Sequence, residues 1–403
     1  MEQTIRIKRA LIDIFEIFTE ELKHIFKDSG VVILFFAASL LYPILYGFIY
    51  RNETYTNVPV ALVNQSHSSL SRDFARKLDA TPEIKIAYKV NSMEEAKKLY
   101  ANNKVYGIVN IPSSFAKDIL EGRQTTVAAF SSMASMMYYK GIYAGLNYTI
   151  LDMGADIQIA NLEGQGFTKQ QAQATAQPIL SQGHALYNPK GGFASFLLPA
   201  VLIMIIQQTL VLGIGMLAGT AREENTFHQL IPYQRKYHGT IRILSGKGLA
   251  YMVLYAFIGI YDLILVPYIF HLPNYLTLGT IVPFLLPFIL ACIFFGMAIS
   301  VFFWNRENSL LLYLSTSVPL LFISGFSWPG GSIHPFWKTI SYFFPSTFGI
   351  QGYLKMNTMG ASISQISFEC MGLWIQAGIY FIFAFFVYRW QIRQSEKRIN
   401  RLG

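Results

Sequence analysis

The sequence predicts an α-helical integral membrane protein with six transmembrane helices and an α/β domain inserted between the first and second. Hydrophobic residues make up 53% of the 403 positions and charged residues only 14%, whereas about a quarter of the residues in a soluble domain are charged. Six runs of roughly 20 apolar residues are each long enough to cross a bilayer core of about 30 Å as a helix. A polar insert, residues 51–192, separates the first run from the second.

Residues 1–30 are predicted to form an amphipathic N-terminal helix on the cytoplasmic side. Such a helix lies along the membrane surface and is either a simple topology anchor or a docking surface for a cytoplasmic partner. Its apolar face carries Leu11, Ile14, Phe15, Phe18, Leu22, Ile25 and Phe26, and its polar face carries Asp13, Glu16, Glu20, Lys23 and Lys27.

The first transmembrane helix is predicted at residues 31–50. No small-residue cleavage site follows it, so it is interpreted as a retained anchor and not as a signal peptide. The remaining five helices are predicted at 193–217, 249–270, 281–303, 310–326 and 372–388. They belong to a region, 193–403, that ends in a basic tail.

The distribution of basic residues predicts that both termini are cytoplasmic, because short cytoplasmic segments are enriched in Lys and Arg. The connection at 271–280 has no Lys or Arg, and the one before the sixth helix has only Lys338 and Lys355. Both connections, and the long insert, are therefore expected outside. The three basic segments contain Arg6, Lys8, Arg9, Lys23 and Lys27; Arg222, Arg235, Lys236, Arg242 and Lys247; and Arg389, Arg393, Lys397, Arg398 and Arg401.

The insert, 51–192, has the alternating pattern of a small α/β domain. Strands are predicted at 58–63, 84–90, 105–111 and 126–130, and helices at 69–78 and 92–100. Ser92 and Glu95 have capping-box spacing at the start of the second of these helices. After residue 130 the pattern becomes helical and predicts a stalk that returns to the membrane at Tyr187-Asn188-Pro189.

No catalytic centre, cofactor site or metal site is predicted in this chain. Ser245-Gly246-Lys247-Gly248 is the nearest approach to a phosphate loop, but it lacks the upstream glycine and the hydroxyl residue after the lysine. Cys292 and Cys370 have no metal-ligand spacing. Basic residues lie beside apolar runs, which favours membrane topology over nucleic-acid binding.

Several segments resemble the permeases of type-2 ABC exporters, in the drug-exporter branch with a large extracytoplasmic domain. In the insert these are Val58 to Asn64, Gly107 to Pro112 and the Tyr187-Asn188-Pro189 step. Arg222-Glu223-Glu224-Asn225-Thr226, followed by Leu230, is similar to the family's cytoplasmic loop. Asn225 stands where the family usually has glycine.

Ser324-Gly325-Phe326-Ser327-Trp328-Pro329 is the most specific match. In the family, such a serine-glycine turn precedes a re-entrant hairpin, expected here at about 328–352. Prolines and glycines interrupt helices, while aromatic residues favour the interface depth. The alternative is an ordinary external loop with interfacial aromatic residues. The residues assigned to the hairpin are Ser324, Gly325, Pro329, Pro335, Pro345 and Gly352.

The resemblance implies a bacterial inner-membrane permease that forms a transport path with a second permease, either a copy or a paralogue. A separate ABC ATPase would bind ATP and Mg²⁺ and push on the cytoplasmic helices; whether a periplasmic adaptor protein takes part is left open. Coupling to the ATPase is expected from the N-terminal helix and the cytoplasmic loop. The residues concerned are Glu16, Glu20, Arg222, Glu223, Glu224, Thr226 and Leu230.

Polar residues within the predicted spans are candidates for the transport path. An ionisable side chain such as Asp262 is costly to bury and is a functional candidate by default. The alternative is that these residues hydrogen-bond neighbouring helices. The set comprises Gln207, Gln208, Asp262, Ser315, Thr316 and Ser317.

A second function class stays open: a membrane-anchored receptor or envelope scaffold whose external domain binds a partner and which transports nothing. Such a protein would need no ATPase. The substrate of an exporter is not readable from these residues, because every membrane protein has apolar spans.

Overall fold

The structure, a computed structural model, describes residues 2–52, 54–179, 186–188, 191–230, 239–328 and 330–402. Two units form the chain: residues 54–184, and the remainder on either side of them. Pro189 and Pro329, which belong to the predicted family motifs, lie outside the described residues, as does the stretch 231–238.

Helix α1 (Glu2–Lys27) precedes the first candidate span, α2 (Ser29–Ile49). Asp28 caps α2, since its carboxylate accepts hydrogen bonds from the amides of Gly30 and Val31 at 3.0 and 3.1 Å. The two helices therefore meet at a defined corner, with Asp28 as the only residue between them.

The inserted unit contains a four-stranded mixed sheet with the order β2-β1-β3-β4, in which β1 is parallel to β2 and β3, and β4 is antiparallel to β3. The small mixed sheet confirms the predicted α/β character of the insert. The strands are β1 (Val58–Asn64), β2 (Ile84–Val90), β3 (Gly107–Ile111) and β4 (Ala128–Ser131).

Five helices accompany this sheet. Ser92 accepts a hydrogen bond from the Glu95 amide at 3.2 Å, which is the serine half of the predicted capping box. Lys77 bonds Asp152 and Asp156 at 2.8 and 2.5 Å, and these hydrogen bonds raise the pKa of the Lys77 ammonium above its usual value. The helices are α3 (Ser69–Asp79), α4 (Met93–Ala101), α5 (Phe115–Leu120), α6 (Met136–Gly164) and α7 (Lys169–Ala176).

The remaining helices belong to the membrane unit. Asn188 stabilises the entry to the first of them, because its amide donates to and accepts from Gly192 backbone atoms, both at 3.0 Å. The helices are α8 (Phe193–Glu223), α9 (Gly239–Ile269), α10 (Leu278–Phe302), α11 (Arg306–Ile323), α12 (Pro335–Ser341), α13 (Pro345–Met359) and α14 (Ser367–Leu402).

Among the described residues, α2, α8, α9, α10 and α14 are long and apolar enough to cross a membrane. A helical membrane protein, as predicted from the apolar runs, is therefore confirmed. The predicted fifth span, 310–326, corresponds to α11, which is 18 residues long. Its polar first turn and its Ser315-Thr316-Ser317 step make α11 less apolar than the other five.

Helix α8 lies at the centre of the membrane unit and is buried along most of its length. Leu202 of α8, Phe288 of α10 and Ile350 of α13 all belong to one buried cluster. By contrast, α2 and α14 keep large apolar side chains exposed on their outer sides, including Leu41, Phe48 and Phe383. Exposed apolar surface of this kind is what lipid or another membrane chain covers.

Candidate functional site

Arg222, at the C-terminal end of α8, is buried and not a surface residue. Its Nη1 atom donates to the carbonyl oxygens of Val301 and Phe303 at 2.9 and 3.2 Å. The guanidinium also lies over two indole rings, 5.2 Å from the centroid of Trp304 and 5.6 Å from that of Trp390. Arg222 therefore ties the end of α8 to the ends of α10 and α14.

The chain leaves α8 through a left-handed residue, Asn225, with a φ of +54°. Asparagine tolerates this conformation better than most non-glycine residues, which explains how it replaces the glycine usual in the resembled family. The Thr226 amide donates to the Ala221 carbonyl at 2.9 Å, and the Thr226 hydroxyl donates to the same oxygen at 3.3 Å. The predicted coupling residue Thr226 thus closes the helix end.

The segment 225–230 is held on α14 by Ser395. The Ser395 hydroxyl donates to the Asn225 carbonyl at 3.1 Å, and the His228 amide donates to the same hydroxyl oxygen at 3.3 Å. Next to these bonds, the buried ring of Phe227 packs edge-on against Tyr388, with centroids 6.0 Å apart. A displacement of this loop would therefore be transmitted directly to α14.

Glu223 and Glu224 are exposed beside this fixed loop, while Leu230 is half-buried. The Glu223 carboxylate makes one long contact, 3.4 Å, with the backbone amide of Arg306. Of the predicted coupling residues on the loop, the two glutamates are therefore accessible to a partner, whereas Arg222 and Thr226 hold the loop in place.

Next to the loop lies a pocket of about 180 Å³. It combines two guanidinium groups, from Arg222 and the exposed Arg398, with aromatic walls. Its lining residues are Arg222, Asn225, Phe227, Trp304, Trp390, Gln391, Gln394, Ser395 and Arg398. A pocket of this composition suits an anionic side chain.

Helix α1 packs on the first half of α9 through a stripe that the sequence analysis did not identify: Asp13, Ile17, Glu21 and Ile25, all buried. Asp13 pairs with Arg242 at 2.5 Å, and Glu21 pairs with Lys247 at 2.7 Å and accepts a short hydrogen bond from Tyr251. The spacing of four residues places the stripe on one helical face.

Gly246 allows the close approach of these two helices. A Cβ atom at this position would lie 2.7 Å from the Ile17 Cβ and 2.9 Å from the Ile14 carbonyl oxygen. The Gly246-Lys247 dipeptide, rejected above as a phosphate loop, is therefore part of a helix-packing contact. On α1 itself, Glu16 is half-buried and Glu20 is exposed.

A second ion pair links the corner between α1 and α2 to α11. Both Arg306 terminal nitrogens bond the Asp28 carboxylate, at 2.7 and 2.6 Å. Burial alone would raise the pKa of Asp28, but the Arg306 pair and the two capping amides outweigh burial and lower it below its usual value. Asp28 is therefore ionised at neutral pH.

The segment assigned to the hairpin contains α12 and α13, with Pro335 and Pro345 as their first residues. Gly325 has a φ of +82°, and the carbonyl oxygen of the buried Ser324 accepts a hydrogen bond from Gln351 at 2.9 Å. Gly352 is buried within α13. These contacts connect the turn at the end of α11 to α13.

The model of the ABC-2 family transporter proteins matches residues 30–386. The chain belongs to this family. A comparison with curated proteins gives no significant match. Family membership identifies an ABC transporter permease, a multi-pass membrane protein, and implies that an ATPase subunit pairs with it. Permeases of the ABC-2 family are typically transport subunits without a catalytic centre.

In this ABC-2 permease the predicted path residues separate into two groups. Gln207 and Gln208 are buried, and the Gln207 side-chain oxygen accepts a hydrogen bond from the Ser346 amide at 2.5 Å. Ser315 is exposed on α11, and Thr316 and Ser317 are half-buried there. Gln207 thus joins α8 to α13 in this conformation, while the α11 residues face outward. Asp262 is fully buried in α9.

Proposed function

We propose that this chain is the permease subunit of an ATP-driven exporter in the drug-exporter branch, acting as a dimer with a second permease. A separate ATPase supplies the energy, and ATP and Mg²⁺ bind on that subunit. The observation that carries this proposal is the cytoplasmic loop: two exposed carboxylates, Glu223 and Glu224, stand on a segment held to α8 and α14 by buried contacts.

Force on this loop has a defined route into the spans. Ser395 and Phe227 connect the loop to α14, and Arg222 connects it to α10. Helix α1 offers a second contact area, because Glu20 is exposed while Glu21 and Asp13 anchor the same helix to α9. Rigid elements that contact several spans at once are suited to transmitting a partner's movement.

The transport path is proposed to form between two permeases. Helix α11 packs on α8 with one side and presents Ser315 on the other, together with exposed Leu311 and Val318. Polar side chains such as Ser315 are costly to expose to lipid, but they can hydrogen-bond a helix of a second permease. In this arrangement α11 is the fifth of six spans, α12 with α13 forms the re-entrant hairpin, and α14 is the sixth span.

The proposed topology places both termini in the cytoplasm of a bacterial cell and residues 51–192 outside its inner membrane. The basic segments around α1, the α8–α9 connection and the end of α14 support this orientation. A periplasmic adaptor protein could then reach only the external unit and the short external connections.

The proposal is tested by replacing Glu223 and Glu224 with Ala. Because both are exposed, the double variant should insert and fold like wild type, with a stability change of about 0.5 kcal/mol or less. Copurification of the ATPase and stimulation of its hydrolysis in reconstituted membranes should fall about tenfold, as expected when charged contacts at an interface are truncated.

Glu94 and Glu95 provide a matched control, since they form an equivalent exposed pair on the inserted unit. Replacing both with Ala should leave ATPase association unchanged. Equal association and equal stimulation for wild type and both double variants would argue against the coupling role and favour a receptor.

A further inference from the structure

Asp262 is fully buried and lies in a π-helical turn, Tyr261–Leu265, within α9. Neither of its carboxyl oxygens has a hydrogen-bond partner among the residues that the structure describes. Single π-turns inside α-helices are frequent at functional sites. The turn therefore places an ionisable side chain in the interior of the bundle, away from every hydrogen-bonding group of the described residues.

The three phenols that interact electrostatically with Asp262 do not donate to it. A phenol has one hydrogen to donate, and each of these hydrogens is used elsewhere. Tyr255 donates to Thr209 at 3.0 Å, Tyr261 to the Leu40 carbonyl at 3.2 Å, and Tyr353 to the Leu263 carbonyl at 2.9 Å.

No cation in the described part of the chain compensates Asp262. Helices α2 and α10 contain no charged residue, and α8 has only Arg222 and Glu223 at its far end. Lys355 on α13 bonds Glu369 at 2.6 Å, while Arg242 and Lys247 on α9 itself pair with Asp13 and Glu21. The other titratable groups on the packed helices are the thiol of Cys292 and the phenols of Tyr42 and Tyr46.

The contrast with the other buried acids is informative. Asp13, Glu21 and Glu369 are each paired with a Lys or Arg. An isolated carboxylate in an apolar interior is strongly disfavoured and takes up a proton instead. On these grounds a neutral carboxyl group is the expected form of Asp262 in this conformation, since neither oxygen has a hydrogen-bond partner among the described residues.

We propose that Asp262 is a reversible proton-binding site of the permease. Its carboxyl group is neutral while enclosed, and it releases H⁺ to water, leaving a carboxylate, when the transport cycle opens this part of α9. The release step rests on the transport function proposed above. The neutral state of the enclosed carboxyl group does not depend on that function.

The test is infrared spectroscopy of the full-length permease in lipid nanodiscs, with the proton as the probe. The carbonyl stretch of a neutral carboxylic acid is separate from carboxylate bands, and exposed carboxyls are ionised at neutral pH. A neutral-acid band should be present in wild type at neutral pH and absent in Asp262→Asn. It should persist in Glu369→Gln, the matched control, because Glu369 is paired with Lys355. A wild-type spectrum with no band lost on Asp262→Asn would overturn the proposal.

The second arm uses the complex with its ATPase. The band should weaken when the ATPase is trapped in its ATP-bound state, and transport by Asp262→Asn should lose the pH dependence of wild type. A band unchanged by trapping, with identical pH profiles for both proteins, would overturn reversible release. If no ATPase associates with wild type, the transport proposal fails, and the infrared comparison without ATPase still decides whether Asp262 is a protonated site.

Discussion

At the residue scale, two arginines, the buried Arg222 and the half-buried Arg306, hold helix ends together inside the permease. Arg222 bonds two backbone carbonyls and stacks on two tryptophans, and Arg306 bonds the Asp28 carboxylate through both terminal nitrogens. In each case the charge closes a helix end that water would otherwise have to solvate. The carboxylates left exposed nearby are then free for a second protein.

Replacing Arg222 with Ala should destabilise the permease by about 2–4 kcal/mol, because the carbonyls of Val301 and Phe303 lose their donor. The apparent Tm in detergent should fall by several degrees, and Arg222→Lys should lie between Ala and wild type, since lysine lacks the fork geometry. Arg398→Ala is the control, as Arg398 lines the same pocket but is exposed. Equal Tm values for the Ala variants at 222 and 398 would contradict the anchoring role.

At the element scale, α1 is both a surface helix and part of the protein's own packing. Leu11, Phe15 and Phe26 remain exposed, as expected for a helix in the membrane interface, whereas Asp13, Ile17, Glu21 and Ile25 contact α9. The amphipathic pattern predicted the first set because lipid-facing residues are apolar. It also placed Ile25 on the apolar face and Asp13 on the polar face. It could not show that both are buried within the protein, because Arg242 and Lys247, the partners of Asp13 and Glu21, lie more than 200 residues further along the chain.

The same reasoning explains where helix ends differ from the apolar runs. The run that predicted the third span begins at residue 249, but α9 begins at Gly239. Its first turns carry Arg242 and Lys247, whose charges are compensated by α1. Local hydrophobicity thus located the part of α9 that crosses the bilayer. The ten residues that α9 adds before residue 249 depend on contacts with α1, which hydropathy does not reveal. The resemblance to the exporter family is what named Glu20, Glu223 and Glu224 as candidate contacts, and their charge agreed with that role; the docking of the loop on Ser395 was not predicted.

A charge swap tests the packing of α1. Asp13→Arg and Arg242→Asp should each loosen α1, and the double swap should recover about 1 kcal/mol or more of coupling energy, as for contacting residues. Hydrogen exchange over residues 8–27 measures the effect. Glu20→Arg, on the exposed side of α1, should leave exchange unchanged. A double variant no more protected than the single ones would indicate that the pair contributes nothing.

At the scale of the whole molecule, the permease consists of a membrane unit and an inserted α/β unit. The inserted unit has its own sheet with two buried clusters, one including Val60 and Leu62 and the other including Val63 and Ile108, and its strands were predictable from short β-branched runs. Among the described residues of the membrane unit, the buried apolar side chains form one cluster around α8. Its spans were predictable from length and hydropathy, but the order in which they pack was not.

Topology is tested by labelling with a membrane-impermeant maleimide. Lys117→Cys, on the exposed surface of the inserted unit, should react in intact cells, and Lys397→Cys, near the end of α14, should react only after permeabilisation. The native Cys292 and Cys370 are buried and give little background. The reverse pattern would invert the proposed orientation and place the coupling loop on the wrong side of the membrane.

The most direct test of the central claim is site-specific photocrosslinking in native membranes, with the reactive group introduced at Glu224 and the captured protein identified by mass spectrometry. A permease driven by a separate subunit should capture an ABC ATPase at this position, because Glu224 is exposed on the fixed loop. The same group at Lys117 should capture none. Crosslinks at Glu224 that contain no ATPase, under conditions where substrate export is measurable, would contradict the claim that this loop receives the ATPase.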